Sequence, residues 1–109
     1  MAQTPEAKVK AKIVDVLKDE DVYYFFPATH GYGRSGVPDF VCCFRGRFFA
    51  IECKAGDNNP TALQQREMTR ITEAGGISYV ARDDSLHLLP TLLAAIDADP
   101  MTVPKKGVA

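Results

Sequence analysis

Several charged side chains lie where an apolar surface is expected. Asp39 stands at the head of the apolar run Pro38–Phe44, and Glu52 and Lys54 fall at the end of a second run that begins at Phe48. Only Arg45-Gly46-Arg47 separates the runs, so they read as a hairpin. If Arg45-Gly46 is a two-residue turn, Phe44 faces Arg47 and Asp39 faces Glu52. If the turn is Gly46-Arg47, Asp39 faces Lys54 and Glu52 is its diagonal neighbour. A three-residue loop would break both alignments. In either two-residue register the alternation of strand side chains leaves Asp39, Glu52 and Lys54 on one face. Directly opposed Cβ atoms there lie roughly 4.5–5.5 Å apart, so like charges repel. A salt-bridged edge, with Lys54 neutralising one acid, accounts for such a triplet taken alone.

Two helical positions argue for more. Glu6 precedes Ile13 by seven residues and Leu17 by eleven, which at ~100° per residue puts it within about 20° of both. Gln64 precedes Met68 by four and Ile71 by seven, so it heads the buried stripe of its own helix. Both polar groups point toward the sheet, as though converging with the strand acids. Glu6, Asp39 and Glu52 carry −3 and Lys54 +1, leaving −2, which one divalent cation balances. An all-oxygen donor set favours a hard ion, Mg²⁺ or Mn²⁺, over Zn²⁺. Such an ion suits phosphoryl-ester hydrolysis: it orients and acidifies water and offsets charge on the phosphate. Lys54 beside it would position or deprotonate that water, or stabilise the developing charge.

The elements that must position these groups follow from pattern. Thr4-Pro5 opens a first helix over 5–19, with Val9, Ile13, Val16 and Leu17 at helical spacing. Val22–Phe26 reads as a strand, and His30–Gly36, with three glycines, as a loop. The hairpin strands are apolar on both faces, which implies cover on each side. Asn59-Pro60 starts a second helix to about Ala74, ended by Gly75-Gly76. Ile77–Ala81 is a strand, and Asp84 or Ser85 caps a last helical region through Ile96 that Pro90 kinks or restarts. The order is α-β-β-β-α-β-α, a mixed central sheet flanked by helices. Residues 1–99 form one domain and 100–109 a flexible tail.

The 109 residues, 46% apolar and 25% charged, suit one globular domain. No apolar run spans a bilayer and the N-terminus is no signal peptide, so a cytoplasmic chain without membrane association is expected. Cys42, Cys43 and Cys53 lie in apolar runs without a Cys-x-x-Cys pair, which points to reduced, buried thiols. Adjacent Cys42 and Cys43 point to opposite faces, which argues against a zinc site with His30 or His87. Thirteen basic and fourteen acidic residues give a net −1, so no global basic footprint exists.

With these residues in place, a family likeness is legible. Gly36-Val37-Pro38-Asp39, with twelve residues between Asp39 and Glu52-Cys53-Lys54, resembles the PD-(D/E)XK nuclease motif. The leading Glu6, Gly-Arg-Ser-Gly-Val-Pro-Asp, Ala-Ile-Glu-Cys-Lys, Thr-Ala-Leu-Gln and Glu-Ala-Gly-Gly resemble the virus-type replication-repair nuclease (VRR-NUC) branch, across Thr4 to Arg82. That resemblance implies a restriction-endonuclease-like α/β core, of the minimal stand-alone type found in phages and bacteria. It implies Asp39 and Glu52 as metal ligands, the Cys53 backbone carbonyl as a further one, and Glu6 as an additional acidic ligand. Lys54 would be the catalytic lysine and Gln64 a residue that orients water or phosphate. The implied cofactor is Mg²⁺, with Mn²⁺ able to substitute and no organic cofactor. The implied activity is metal-dependent endonucleolytic hydrolysis of DNA phosphodiester bonds, selective for branched DNA such as a Holliday junction or flap. A homodimer would let two sites address two strands. A non-catalytic nucleic-acid-binding or assembly module on the same fold is the alternative. A metabolic enzyme for a small phosphoester is disfavoured, because no Gly-rich phosphate cradle opens a helix.

Arg34, Ser35 and Tyr32, with His30, are candidate DNA contacts in the glycine-rich loop. Arg45 and Arg47 are expected to keep the hairpin tip soluble. Lys8, Lys10 and Lys12, spaced by two, spread around the helix as a solvated face.

Overall fold

A computed structural model describes residues 4–28 and 35–99. The elements are α1 (Pro5–Asp19), β1 (Tyr23–Phe25), β2 (Phe40–Phe44), β3 (Arg47–Cys53), α2 (Ala62–Glu73), β4 (Ile77–Ala81), a 3₁₀ turn (Asp83–Ser85) and α3 (Leu88–Ala98). They form a four-stranded mixed sheet in the order β1-β2-β3-β4, whose first two pairings are antiparallel and whose last is parallel. No helix among the described residues is long and apolar enough to cross a membrane.

The hairpin takes the first register, with Phe44 opposite Arg47 and Phe40 opposite Ile51. Arg45 (φ 54°) and Gly46 (φ 80°) both adopt positive φ, the two-residue turn that matches strand twist. The tip arginines are not free. Arg45 bonds Asp97 at 2.6 Å and lies 5.0 Å over the Phe44 ring, and Arg47 bonds Asp99 at 2.8 Å. They tie the hairpin to the end of α3 and do not serve mainly as solubilising charges.

One sheet face is closed. Val9, Ile13 and Leu17 of α1 and Leu89, Leu93 and Ile96 of α3 bury Phe40, Phe49 and Ile51 between them. The other face departs from expectation. Among the described residues α2 packs there, against β3 and β4, while Tyr23 (68% exposed), Phe25 (46%) and Phe48 (45%) face outward beside an exposed Cys43. Among the described residues, cover on both faces therefore holds for β3 beneath α2, whereas β1 and β2 keep exposed aromatic side chains on the second face. Cys42 and Cys53 are buried as expected, and burial first of all pushes both thiols up to about 12.

Helix ends follow side-chain chemistry. Thr4 Oγ1 accepts from the Ala7 N–H at 3.1 Å to cap α1. The second helix begins at Ala62, later than Asn59-Pro60 suggests, because Thr61 and Gln64 form a reciprocal capping box. In α3, Pro90 falls in the first turn, where its missing N–H costs no helical bond, so it neither kinks nor restarts the helix. Asp83–Ser85 forms a separate 3₁₀ turn ahead of it. Strand β1 ends before Phe26, whose ring leaves the sheet to pack 4.9 Å from Phe40.

Gly36 sets where α2 starts. Its φ is +81°, and an added Cβ would fall 2.5 Å from the Leu63 carbonyl oxygen and 2.9 Å from the Gln64 nitrogen. Gly36→Ala must therefore push the loop off the first turn of α2. The expected loss is ~2–4 kcal/mol of stability, measured by thermal or denaturant unfolding. An unchanged midpoint would contradict this packing.

Candidate active site

The antiparallel register continues from Phe40–Ile51 to set Asp39 beside Glu52 at the mouth of the hairpin. Asp39 is held from two sides: its Oδ2 accepts from the Cys53 backbone N–H at 2.8 Å, and its Oδ1 lies 3.2 Å from Lys10 Nζ on α1. Glu52, only 3% exposed, stands near enough to Asp39 for the two carboxyl groups to act on each other. Its Oε1 accepts from Gln64 Nε2 at 2.9 Å and stands 3.9 Å from Lys54 Nζ. Lys54 is itself fixed by its backbone N–H, which donates to the Ala81 carbonyl at 2.9 Å. The parallel β3–β4 pairing thus aims the lysine along the same face as Glu52.

Gln64 bonds in two directions. Its Oε1 accepts from the Thr61 N–H at 2.8 Å while its Nε2 holds Glu52. One side chain therefore both starts α2 and fixes a carboxylate.

The electrostatics are strained. Burial above all, then the neighbouring Asp39 with its hydrogen bond and the charge of Glu6, push Glu52 up to about 8 against the opposing pull of Lys54. Burial works against the charge on Lys10, but the Asp39 charge and hydrogen bond outweigh it and raise its pKa.

Asp39, Glu52, Lys54 and Gln64, drawn from three separate stretches of sequence, are thus brought together. Glu6 is half-buried and near enough to act on Glu52, Lys10 and Cys53 through its charge. Among the described residues, however, no three His, Cys, Asp or Glu side chains are gathered closely enough to cage an ion. The donor set that fits a hard cation is the abutting Asp39–Glu52 pair, whose excess negative charge such an ion would relieve. Arg34, Tyr32 and His30 lie outside the described residues, and Ser35 is exposed beside Gly36.

Lys10 is the residue that sequence spacing misplaced. The alternation of Lys8, Lys10 and Lys12 suggests a solvated face, yet Lys10 follows Glu6 by four residues and precedes Ile13 by three. That spacing, read against the buried stripe, aims it at Asp39. Lys8 and Lys12 are exposed as expected, with Lys12 3.3 Å from Asp83.

No protein-family model matches the chain, and no curated protein does. Solved structures do resemble it, among them two nuclease-fold proteins. A VRR_NUC domain superposes with a TM-score of 0.71 at 23% identity, covering 82% of this chain and 97% of that one. Hjc from Archaeoglobus fulgidus, a Holliday junction resolvase from an archaeal hyperthermophile, gives a TM-score of 0.53 at 20% identity, over 70% of this chain and 66% of that one. At these identities the likeness is one of architecture: four mixed strands flanked by helices, with Asp39 and Glu52 at the mouth of the hairpin, have the fold of a VRR_NUC domain.

Proposed function

We propose that the chain is a metal-dependent endonuclease that hydrolyses phosphodiester bonds in branched DNA, a Holliday junction or flap. The observation that carries this reading is the abutting Asp39 and Glu52 with Lys54 Nζ 3.9 Å from Glu52, on a fold shared with a VRR_NUC domain and a junction resolvase. Asp39, Glu52 and the Cys53 carbonyl would hold Mg²⁺ or Mn²⁺, with Glu6 adding negative charge from α1. A bound ion of this kind lowers the pKa of its water and offsets charge on the scissile phosphate. The residues supply the rest. The Cys53 N–H fixes Asp39, Gln64 fixes Glu52, and Lys54 orients the attacking water and faces the charge that grows on the phosphoryl oxygens. Three free cysteines suit the reducing cytoplasm.

The test is a panel of junction, flap, nicked plasmid and linear duplex, each incubated with Mg²⁺, Mn²⁺ or EDTA. Cleavage of branched substrates that requires metal is expected. Binding to branched DNA without cleavage in any metal would favour the non-catalytic module.

One chain holds one such site, and cutting two strands of a junction takes two. We infer a homodimer that covers the open sheet face of Tyr23, Phe25 and Phe48. Exposed aromatic patches of this kind mark interaction surfaces. Light scattering should give twice the 11.9 kDa chain mass, and Phe48→Glu should return it to the single-chain value. A wild-type monomer at high concentration would overturn the dimer.

A further inference from the structure

We propose that Lys10, which pairs with Asp39 at 3.2 Å, is a phosphate-binding side chain that passes to the DNA backbone when a divalent cation takes Asp39. The inference rests on the metal-dependent reading of the same site but adds a residue that reading does not require.

Both oxygens of Asp39 are occupied. Oδ2 is held by a backbone N–H that cannot leave without disturbing the sheet, whereas Oδ1 pairs with the Lys10 ammonium at 3.2 Å. A cation approaching Asp39 therefore meets the Lys10 ammonium, and the repulsion of like charges acts on the mobile partner. Lys10 can yield because its side chain is 40% exposed and ends a flexible four-carbon stem. Its backbone cannot, since the adjacent Val9 and nearby Ile13 are fully buried.

The displaced ammonium has a destination. Lys10 also lines an open cleft of about 400 Å³, bounded by the first turn of α1 (Thr4, Pro5, Glu6, Ala7) and by Ala55 and Asn58 just beyond Lys54. A strand crossing the Asp39–Glu52 mouth toward this cleft brings a phosphate within reach of Lys10. Glu6, the one acidic group on the cleft wall, opposes that anion, so a neutral lining would not suffice and a cation is needed there. The two lysines divide the work: Lys54, 12% exposed, stays with Glu52, while the more exposed Lys10 serves Asp39 and then the substrate. Stability does not explain the contact, because an ion pair whose lysine is 40% exposed contributes little to the fold.

The test compares wild type, Lys10→Met, Lys10→Gln and Lys10→Arg, with folding checked by circular dichroism. Mn²⁺ is titrated calorimetrically without DNA. Junction DNA is then titrated in Ca²⁺ across a salt series. Removing the competing ammonium should tighten Mn²⁺ binding by roughly 3–10-fold. It should also weaken DNA binding and lower the slope of log K against log salt by about 1. Lys10→Arg should keep the wild-type slope. Gln stands in for Met if the Met variant does not fold. Mn²⁺ affinity that is unchanged or weaker in the folded neutral variant, or an unchanged salt slope, overturns the proposal. A wild-type chain that binds no Mn²⁺ overturns the site reading as well, so the two failures are distinguishable.

Discussion

Replacing Glu52 by Gln is expected to abolish metal-dependent cleavage and, in the same protein, to stabilise the metal-free fold at alkaline pH. Glu52 is 3% exposed, and burial first, then Asp39, hold its pKa near 8 instead of 4.5. A carboxyl whose folded value exceeds its unfolded value adds no penalty below about pH 4.5. As pH rises from there through about 8, the folded state progressively loses stability. At 1.36 kcal/mol per unit this amounts to a few kcal/mol, on the order of 10 °C in the midpoint for a domain of this size. Glutamine keeps the acceptor for Gln64 Nε2 but never becomes charged. In EDTA, calorimetric scans should show the wild-type midpoint falling between pH 5 and pH 8.5 relative to Glu52→Gln. Parallel curves for the two proteins would contradict the buried, Asp39-paired carboxyl. In the proposed nuclease the same strain would favour a bound divalent cation, which would let both carboxylates ionise side by side.

Lys54→Met is expected to lower the cleavage rate by roughly 10²–10⁴-fold while leaving Mn²⁺ affinity close to wild type. The ammonium stands 3.9 Å from Glu52, nearer than a remote charge but longer than a tight salt bridge, and its side chain is 12% exposed. It is thus placed to face a substrate in the mouth of the site. Asp39→Asn should behave differently and lose metal binding and cleavage together. Single-turnover cleavage and calorimetric metal titration separate the two patterns. Full activity in Lys54→Met would remove the lysine from the mechanism.

Strong periodicity made much of this architecture readable before any coordinates. Val9, Ile13 and Leu17 define α1 over its observed length, and the β-branched run at Ile77 defines β4. The Arg45-Gly46 turn selects between two registers that spacing left open, because both residues tolerate positive φ there. The acids were legible for the same reason: charges on otherwise apolar strands are expensive to desolvate. What spacing could not reveal were contacts set by tertiary packing. The bonds from Arg45 and Arg47 to Asp97 and Asp99 depend on α3 folding back over more than fifty residues. The capping box explains why Gln64 holds Glu52, but only the docking of α2 against Gly36 brings that amide within 2.9 Å. The open sheet face was hidden because Tyr23, Phe25 and Phe48 look like core residues in the sequence, whether a helix or another chain covers them.

Anomalous diffraction from a crystal soaked in Mn²⁺ tests the central claim most directly. A strong peak beside Asp39 and Glu52, absent in Asp39→Asn, is expected. A map with no peak at that pair, or with Mn²⁺ bound only elsewhere, would contradict it.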